Sequence, residues 1–145
     1  MKKVNKSGAS LLKDLPAPEK LENIPSDALV IDTRNSSEYA KGHWQGTLNI
    51  PISSNSFPTY LGWYVDYEKP LYFIAHHNKI EDVLSTMRSI AVDNVGGYIS
   101  PESLATEAKI IQKTPKEIFE AGYKILDVRG NSEYESEHIP NALHI

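Results

Sequence analysis

Val30 to Ile52 reads VIDTRNSSEYAKGHWQGTLNIPI: a strand, a helix, a glycine turn and a second strand with almost no slack between them. Leu29, Val30 and Ile31 form a short apolar run ending at Asp32, a pattern that suits a strand buried on both faces, as in a parallel sheet. Asn35 or Ser36 is placed to cap a helix, and Glu38 falls in its first turn, where a carboxylate opposes the helix dipole. Gly42 is expected to stop that helix in a left-handed conformation. Gly46 allows a tight turn, after which Leu48, Ile50 and Ile52 restart a strand, with Pro51 near its end.

The same spacing returns 95 residues later in Ile125 to Ile145. Asp32, Arg34, Glu38, Tyr39, His43 and Ile50 match Asp127, Arg129, Glu133, Tyr134, His138 and Ile145, and so many coincidences at one offset mark an internal repeat. Both stretches resemble the opening of a rhodanese homology domain, whose pattern is an apolar strand, Asp-x-Arg, a helix with Glu-Tyr or Glu-Phe, then Gly-His-Ile-x-Gly-Ala-x-Asn-Ile-Pro. The first copy departs from it at Trp44, Thr47 and Leu48. The second has Glu137 and Asn141 in place of the two glycines.

Between the copies, Phe57 to Tyr67 is aromatic-rich (FPTYLGWYVDY) and reads either as a short helix covering a sheet edge with rings or as a docking face for a neighbour. Pro70 opens a buried strand, Leu71 to Ile74. Ile80, Val83, Leu84, Met87, Ile90 and Ala91 then fall on one helical stripe, broken by Asp93 and Asn94. Val95 to Ile99 is a further strand. Ser100 is expected to cap a helix with Pro101 at its first position and Glu102 and Glu107 on its polar face. Alternating strands and helices predict an α/β fold, a doubly wound parallel sheet flanked by helices, as the rhodanese resemblance also implies. The expected organisation is a linker over 1–18 anchored by Leu11, Leu12 and Leu15, a rhodanese-like domain over 19–114, and the truncated start of a second over 115–145.

Bulk properties narrow the function. A net charge of −4 and a pI near 5.7 argue against nucleic acid or an anionic membrane as the main partner. The 145 residues contain no cysteine, which removes disulfides and any thiol chemistry supplied by the chain itself. No apolar run approaches the roughly 18 residues that span a bilayer, and the basic opening lacks an extended apolar segment, so the expected compartment is the cytoplasm.

In active members of the resembled family the loop after the central strand is similar to Cys-x-x-Gly-x-Arg, whose amides and following helix N-terminus lower the thiol pKa and hold a persulfide. The matching segment is Ile74 to Ile80, IAHHNKI. Ile74 or Ala75 stands where the resemblance places the nucleophile, followed by His76, His77, Asn78 and Lys79. A methyl or branched alkyl group carries no sulfane sulfur, so the expectation is a catalytically inert domain without a cofactor. His76 and His77 read as solvated loop residues. A metal would need His43 as a third ligand, and a weak anion site with Lys79 is the remaining reading. Asp32, Arg34, Glu38, Gly42 and His43 are assigned structural roles: Asp32 capping the helix at Ser36, Arg34 bonding Glu38 or a backbone carbonyl, His43 buried against backbone. Asp127, Arg129, Glu133 and His138 inherit these roles.

The run FPTYLGWYVDYEKPLYFIA, with Asp-Asn-Val-Gly-Gly-Tyr downstream, looks like the middle domain of bacterial fusions of a metallo-β-lactamase-fold persulfide dioxygenase, a rhodanese domain lacking cysteine and an active rhodanese domain. The implied partners are those neighbouring domains. The C-terminal segment is expected to dock on the first domain or pair with a second copy, giving a possible homo-oligomer. A stand-alone module binding a small anion or persulfide is the alternative.

Overall fold

A computed structural model describes residues 17–104 and 108–145. The proposed leucine anchors of the 1–18 linker and Glu107 lie outside the described residues. The chain forms two compact units, Met1–Ile110 and Ile111–Ile145.

In the first unit, strands β1 (Val30–Asp32), β2 (Leu48–Asn49), β3 (Leu71–Ile74) and β4 (Val95–Ile99) form a wholly parallel sheet in the order β2-β1-β3-β4. The register aligns Ile31 with Leu48 and with Phe73, so these side chains share one face. That face is covered by helix α2 (Phe57–Tyr64) through Phe57 and Leu61, and by helix α3 (Ile80–Ser89) through Val83, Leu84 and Met87. Each such fully buried side chain stabilises the fold by about 1.5–3 kcal/mol. The other face carries Val30, Ile74 and Ile99, packed against Leu21, Ile24, Trp44, Tyr72 and Leu104.

Residues 19–21 add a further extended segment along β4. Leu21 N–H donates to the Tyr98 carbonyl (2.8 Å), Tyr98 N–H donates to that of Glu19 (2.9 Å), and Lys20 pairs with Tyr98 in parallel. Gly97 makes this approach possible, because a Cβ there would lie 2.6 Å from Leu21 Cδ1 and 2.9 Å from the Glu19 oxygen.

Several local expectations are corrected. Helix α1 (Ser36–Lys41) begins after Asn35, whose side chain makes no capping bond and instead accepts from the Ser53 hydroxyl. Gly42 ends α1 with φ 173°, extended rather than left-handed, while Gly46 does take a positive φ of 84°. The aromatic stretch forms the expected short helix, α2, but only one of its rings turns inward. Phe57 and Leu61, one turn apart, point inward, which leaves Tyr60, Trp63 and Tyr64 at the surface. Helix α3 stops at Ser89, with Ala91 at φ 62°, ahead of the Asp93–Asn94 pair. Ser100 starts only a single tight turn, Pro101–Ser103; its hydroxyl donates to the Glu102 carboxylate and makes no capping bond.

The second unit contains α4 (Pro115–Glu120), β5 (Leu126–Asp127), α5 (Asn131–Ser136) and β6 (Leu143–His144), with β5 and β6 parallel. Thr114 and Glu117 close a reciprocal cap on α4, Thr114 N–H donating to Glu117 Oε2 at 2.7 Å. Residues 125–145 repeat the stretch from β1 to β2 closely. The residues replacing its glycines show why: Glu137 stands where Gly42 is extended, a conformation any residue takes, and Asn141 stands where Gly46 is left-handed, with φ 66°.

Candidate functional site

The ends of β1, β2, β3 and β4 deliver their following loops to one edge of the sheet, where parallel α/β folds place ligands. There Thr33, Arg34, Asn35, Glu38, Ser53, the loop His76–Lys79 and Glu102 line a cavity of about 580 Å³. Ile74 and Ala75, at the top of β3 beneath this loop, are buried, and the Ala75 N–H is engaged by the Ile99 carbonyl (3.2 Å).

The charged groups in the cavity are largely paired with one another. Arg34 forms a two-pronged contact with Asp32, Nε to Oδ1 at 3.0 Å and Nη2 to Oδ2 at 2.6 Å, and its Nη2 also donates to the Gly42 carbonyl at 3.0 Å. The Asp32 hydrogen bond holds the guanidinium above its ordinary pKa, against the opposing effect of burial. Asp32 therefore does not cap the helix at Ser36; it also accepts the backbone N–H of Arg34. Lys79 is paired with Asp82 at 2.8 Å.

Glu38 does not meet Arg34. Its carboxylate accepts from His76 Nε2 at 2.9 Å, while His76 Nδ1 lies 3.6 Å from Glu102 Oε1. Glu102 is held below the usual carboxylate range, first by the Ser100 hydroxyl and then by its own backbone N–H, with His76 a smaller contribution. The loops after β1, β3 and β4 each supply one member of this cluster, so no spacing in the sequence points to it. His77 and Asn78 are exposed at the rim. His43 is buried elsewhere: it stacks on Tyr39 at 3.8 Å and its Nδ1–H donates to the Tyr39 carbonyl at 2.9 Å. It therefore does not join His76 and His77 as a third ligand.

The hydroxyl groups near the loop offer no substitute nucleophile. Thr33 Oγ1 donates to the Ile74 carbonyl at 2.7 Å, and the Ser53 hydroxyl donates to Asn35, with neither aimed at an imidazole base.

In the second unit Arg129 reproduces the fork, with Nη2 2.7 Å from Asp127 Oδ2 and 2.8 Å from the Glu137 carbonyl. His138 stacks on Tyr134, and its Nδ1–H donates to the Tyr134 carbonyl. Glu133 takes a role that Glu38 lacks, accepting the Gly130 N–H at 3.3 Å. His144, standing where Asn49 does, donates to the Arg129 carbonyl at 2.8 Å.

Residues 110–145 match the family described as rhodanese-like domain. The mixed α/β architecture, a parallel sheet flanked by helices, is consistent with a rhodanese-like fold. A metallo-beta-lactamase from Staphylococcus aureus subsp. aureus COL is 28% identical, covering 69% of this chain and 28% of that one, with a TM-score of 0.56. EanB in a persulfide form with ergothioneine is 14% identical, covering 83% of this chain and 38% of that one, with a TM-score of 0.50, a likeness of fold alone. The chain thus spans well under half the length of either. No curated protein gives a match. Among the described residues no helix is long and apolar enough to cross a membrane.

Protonation probes the second fork experimentally. The Arg129 hydrogen bond holds Asp127 at about 2 instead of the ordinary 3.8. A carboxylate depressed in the folded state contributes stability above its unfolded pKa and loses it as pH falls towards the folded one. The second fork is therefore expected to persist at pH 4 and to open between about 3.8 and 2. Titration of the Asp127 carboxyl carbon by NMR checks this, and a midpoint at or above 3.8 would contradict it.

Proposed function

We propose that this chain is a non-catalytic, rhodanese-like structural module of a persulfide- or sulfide-metabolising fusion protein, packing beside a metallo-β-lactamase-fold dioxygenase domain and a sulfurtransferase domain. The observation that carries the reading is hydrocarbon at the top of β3: Ile74 and Ala75 are buried where an attacking sulfur would be presented, and the 145 residues hold no cysteine. The similarity to a much longer protein named a metallo-beta-lactamase supports the fusion context.

The alternative, a binder of small anions or persulfides, is opposed by the cavity's charges. Arg34 and Lys79 are tied to Asp32 and Asp82, and Glu38 and Glu102 place negative charge around His76. Calorimetric titration with sulfate, thiosulfate and glutathione persulfide is expected to show no heat of binding.

The purified chain is expected to move sulfur from thiosulfate to cyanide no faster than buffer. Ala75→Cys is expected to remain inactive as well. Its thiol would be buried beside the carboxylate-flanked His76, a setting that raises the pKa above the roughly 8.5 of a free cysteine and disfavours the thiolate. Turnover by the unmodified chain overturns the inert assignment. Turnover by Ala75→Cys alone shows that the cavity keeps the shape for sulfur transfer and lacks only the atom.

A further inference from the structure

His76 sits between two carboxylates that come from different loops. Its Nε2 is 2.9 Å from Glu38 Oε1, on α1, and its Nδ1 is 3.6 Å from Glu102 Oε1, in the turn after β4. A carboxylate ion only accepts, so Nε2 carries the proton of the shorter contact. The second contact is longer than a hydrogen bond allows, as expected of an Nδ1 lone pair facing a negatively charged oxygen. A neutral imidazole has a single N–H and satisfies one of these neighbours, whereas the imidazolium has two and satisfies both.

The surroundings hold Glu102 in place and leave His76 accessible. The Ser100 hydroxyl donates to Glu102 Oε2, which leaves Oε1 turned to the ring. That bond is also the first reason why the Glu102 carboxyl lies below the usual range, so it stays ionised where histidines take up a proton. The His76 side chain is 39% exposed and exchanges protons with water. The other charges lining the cavity are already committed, Arg34 to Asp32 and Lys79 to Asp82 on α3. His77, the next residue of the loop, is exposed at the rim.

We propose that His76 is a proton-operated clasp that draws the turn after β4 towards the loop after β3 and narrows the cavity as pH falls. One proton from water adds to Nδ1 and none is released. The 3.6 Å standoff with Glu102 then becomes a charge-assisted hydrogen bond of about 2.7–2.9 Å. The Glu38 contact persists on the other ring nitrogen, so one imidazolium ties together the loops after β1, β3 and β4. The clasp is present where the ring carries both protons and is lost as pH rises and Nδ1 gives its proton back. The second unit does not repeat this use of the carboxylate: Glu133, the counterpart of Glu38, accepts the Gly130 N–H instead.

The test is water–amide exchange of the full chain, measured by NMR at about pH 5.5 and about pH 8.5, with each rate scaled to that of an unstructured amide at the same pH. The reporters are Ser103 and Leu104, whose N–H groups donate to the Ser100 and Pro101 carbonyls within the turn. Their protection is expected to be about two- to fivefold greater at the lower pH, the effect of a partly exposed ion pair. His76→Asn and Glu102→Ala should each abolish this difference while Tyr72 and Tyr98 in the sheet keep the protection of the parent chain, which shows that the variants are folded. Glu102 is 69% exposed, so its variant reads the clasp even where His76→Asn disturbs the loop. Equal protection at the two pH values, greater protection at the higher one, or a difference that survives in either variant would overturn the proposal; survival in both assigns the effect to another group, such as His77. Sulfur chemistry plays no part in this experiment, so its failure leaves the non-catalytic reading standing.

Discussion

Replacing Asp32 by alanine is expected to destabilise the first unit by about 3–5 kcal/mol, because removing one member of a buried ion pair leaves the other charged and unpaired. Asp32 is fully buried and the Arg34 side chain is 9% exposed. Of the guanidinium's hydrogen bonds, the one to the Gly42 carbonyl would remain. A loss of that size is a large fraction of the roughly 5–15 kcal/mol that holds a typical domain together. Asp127→Ala removes the same contacts from the second fork, but Arg129 is 44% exposed and water takes over its donors, so a far smaller change is expected there. Urea denaturation of the two variants beside the parent chain measures both. Equal losses would show that burial does not set the strength of this fork.

Gly97→Val is the second large effect. The backbone there sits at φ 150°, where a β-branched residue is strained, and the added atoms would strike both Leu21 and the Glu19 carbonyl. Leucine can turn aside, but the carbonyl is part of the pairing with Tyr98 and can move only by breaking it. Strain together with two lost hydrogen bonds gives an expected cost of about 2–4 kcal/mol. Amide exchange at Leu21 and Tyr98 should accelerate before that of β1 or β3. Gly62→Ala is the control: it lies within α2 with open space where the new methyl would go, so it should be neutral or slightly stabilising. Unchanged exchange at Leu21 in Gly97→Val would mean that residues 19–21 are not held by this contact.

The strands were legible because each is a short apolar run, and the repeat because six chemically distinctive residues recur at one offset. The parallel character of the sheet followed from strand and helix alternation. Contacts between distant loops were not legible. Glu38 looked like one of two possible partners for Arg34, but Arg34 takes the other, a backbone carbonyl, and the first turn of α1 turns the Glu38 carboxylate towards His76. Ser100 looked like a helix cap because Pro101 follows it, but its hydroxyl donates to a carboxylate two residues on and accepts no backbone N–H. The aromatic stretch was legible as a helix, but not in the direction that each ring faces. Composition counts rings, whereas the helical period decides which of them turn inward, and it selected Phe57 with Leu61 and left the tryptophan outside. Gly42 and Gly46 look alike in a sequence, although only one takes a conformation that favours glycine.

The pairing of residues 19–21 with β4 also bears on where this protein can be cut for expression. A version beginning after Leu21 would lose a side chain from the cluster around Val30, Ile74 and Ile99 and leave Tyr98 with bare amide and carbonyl groups on a flat flank, an invitation to aggregate. Tags and proteolytic sites therefore belong upstream of Glu19, where they leave this stretch intact as a built-in guard against insolubility.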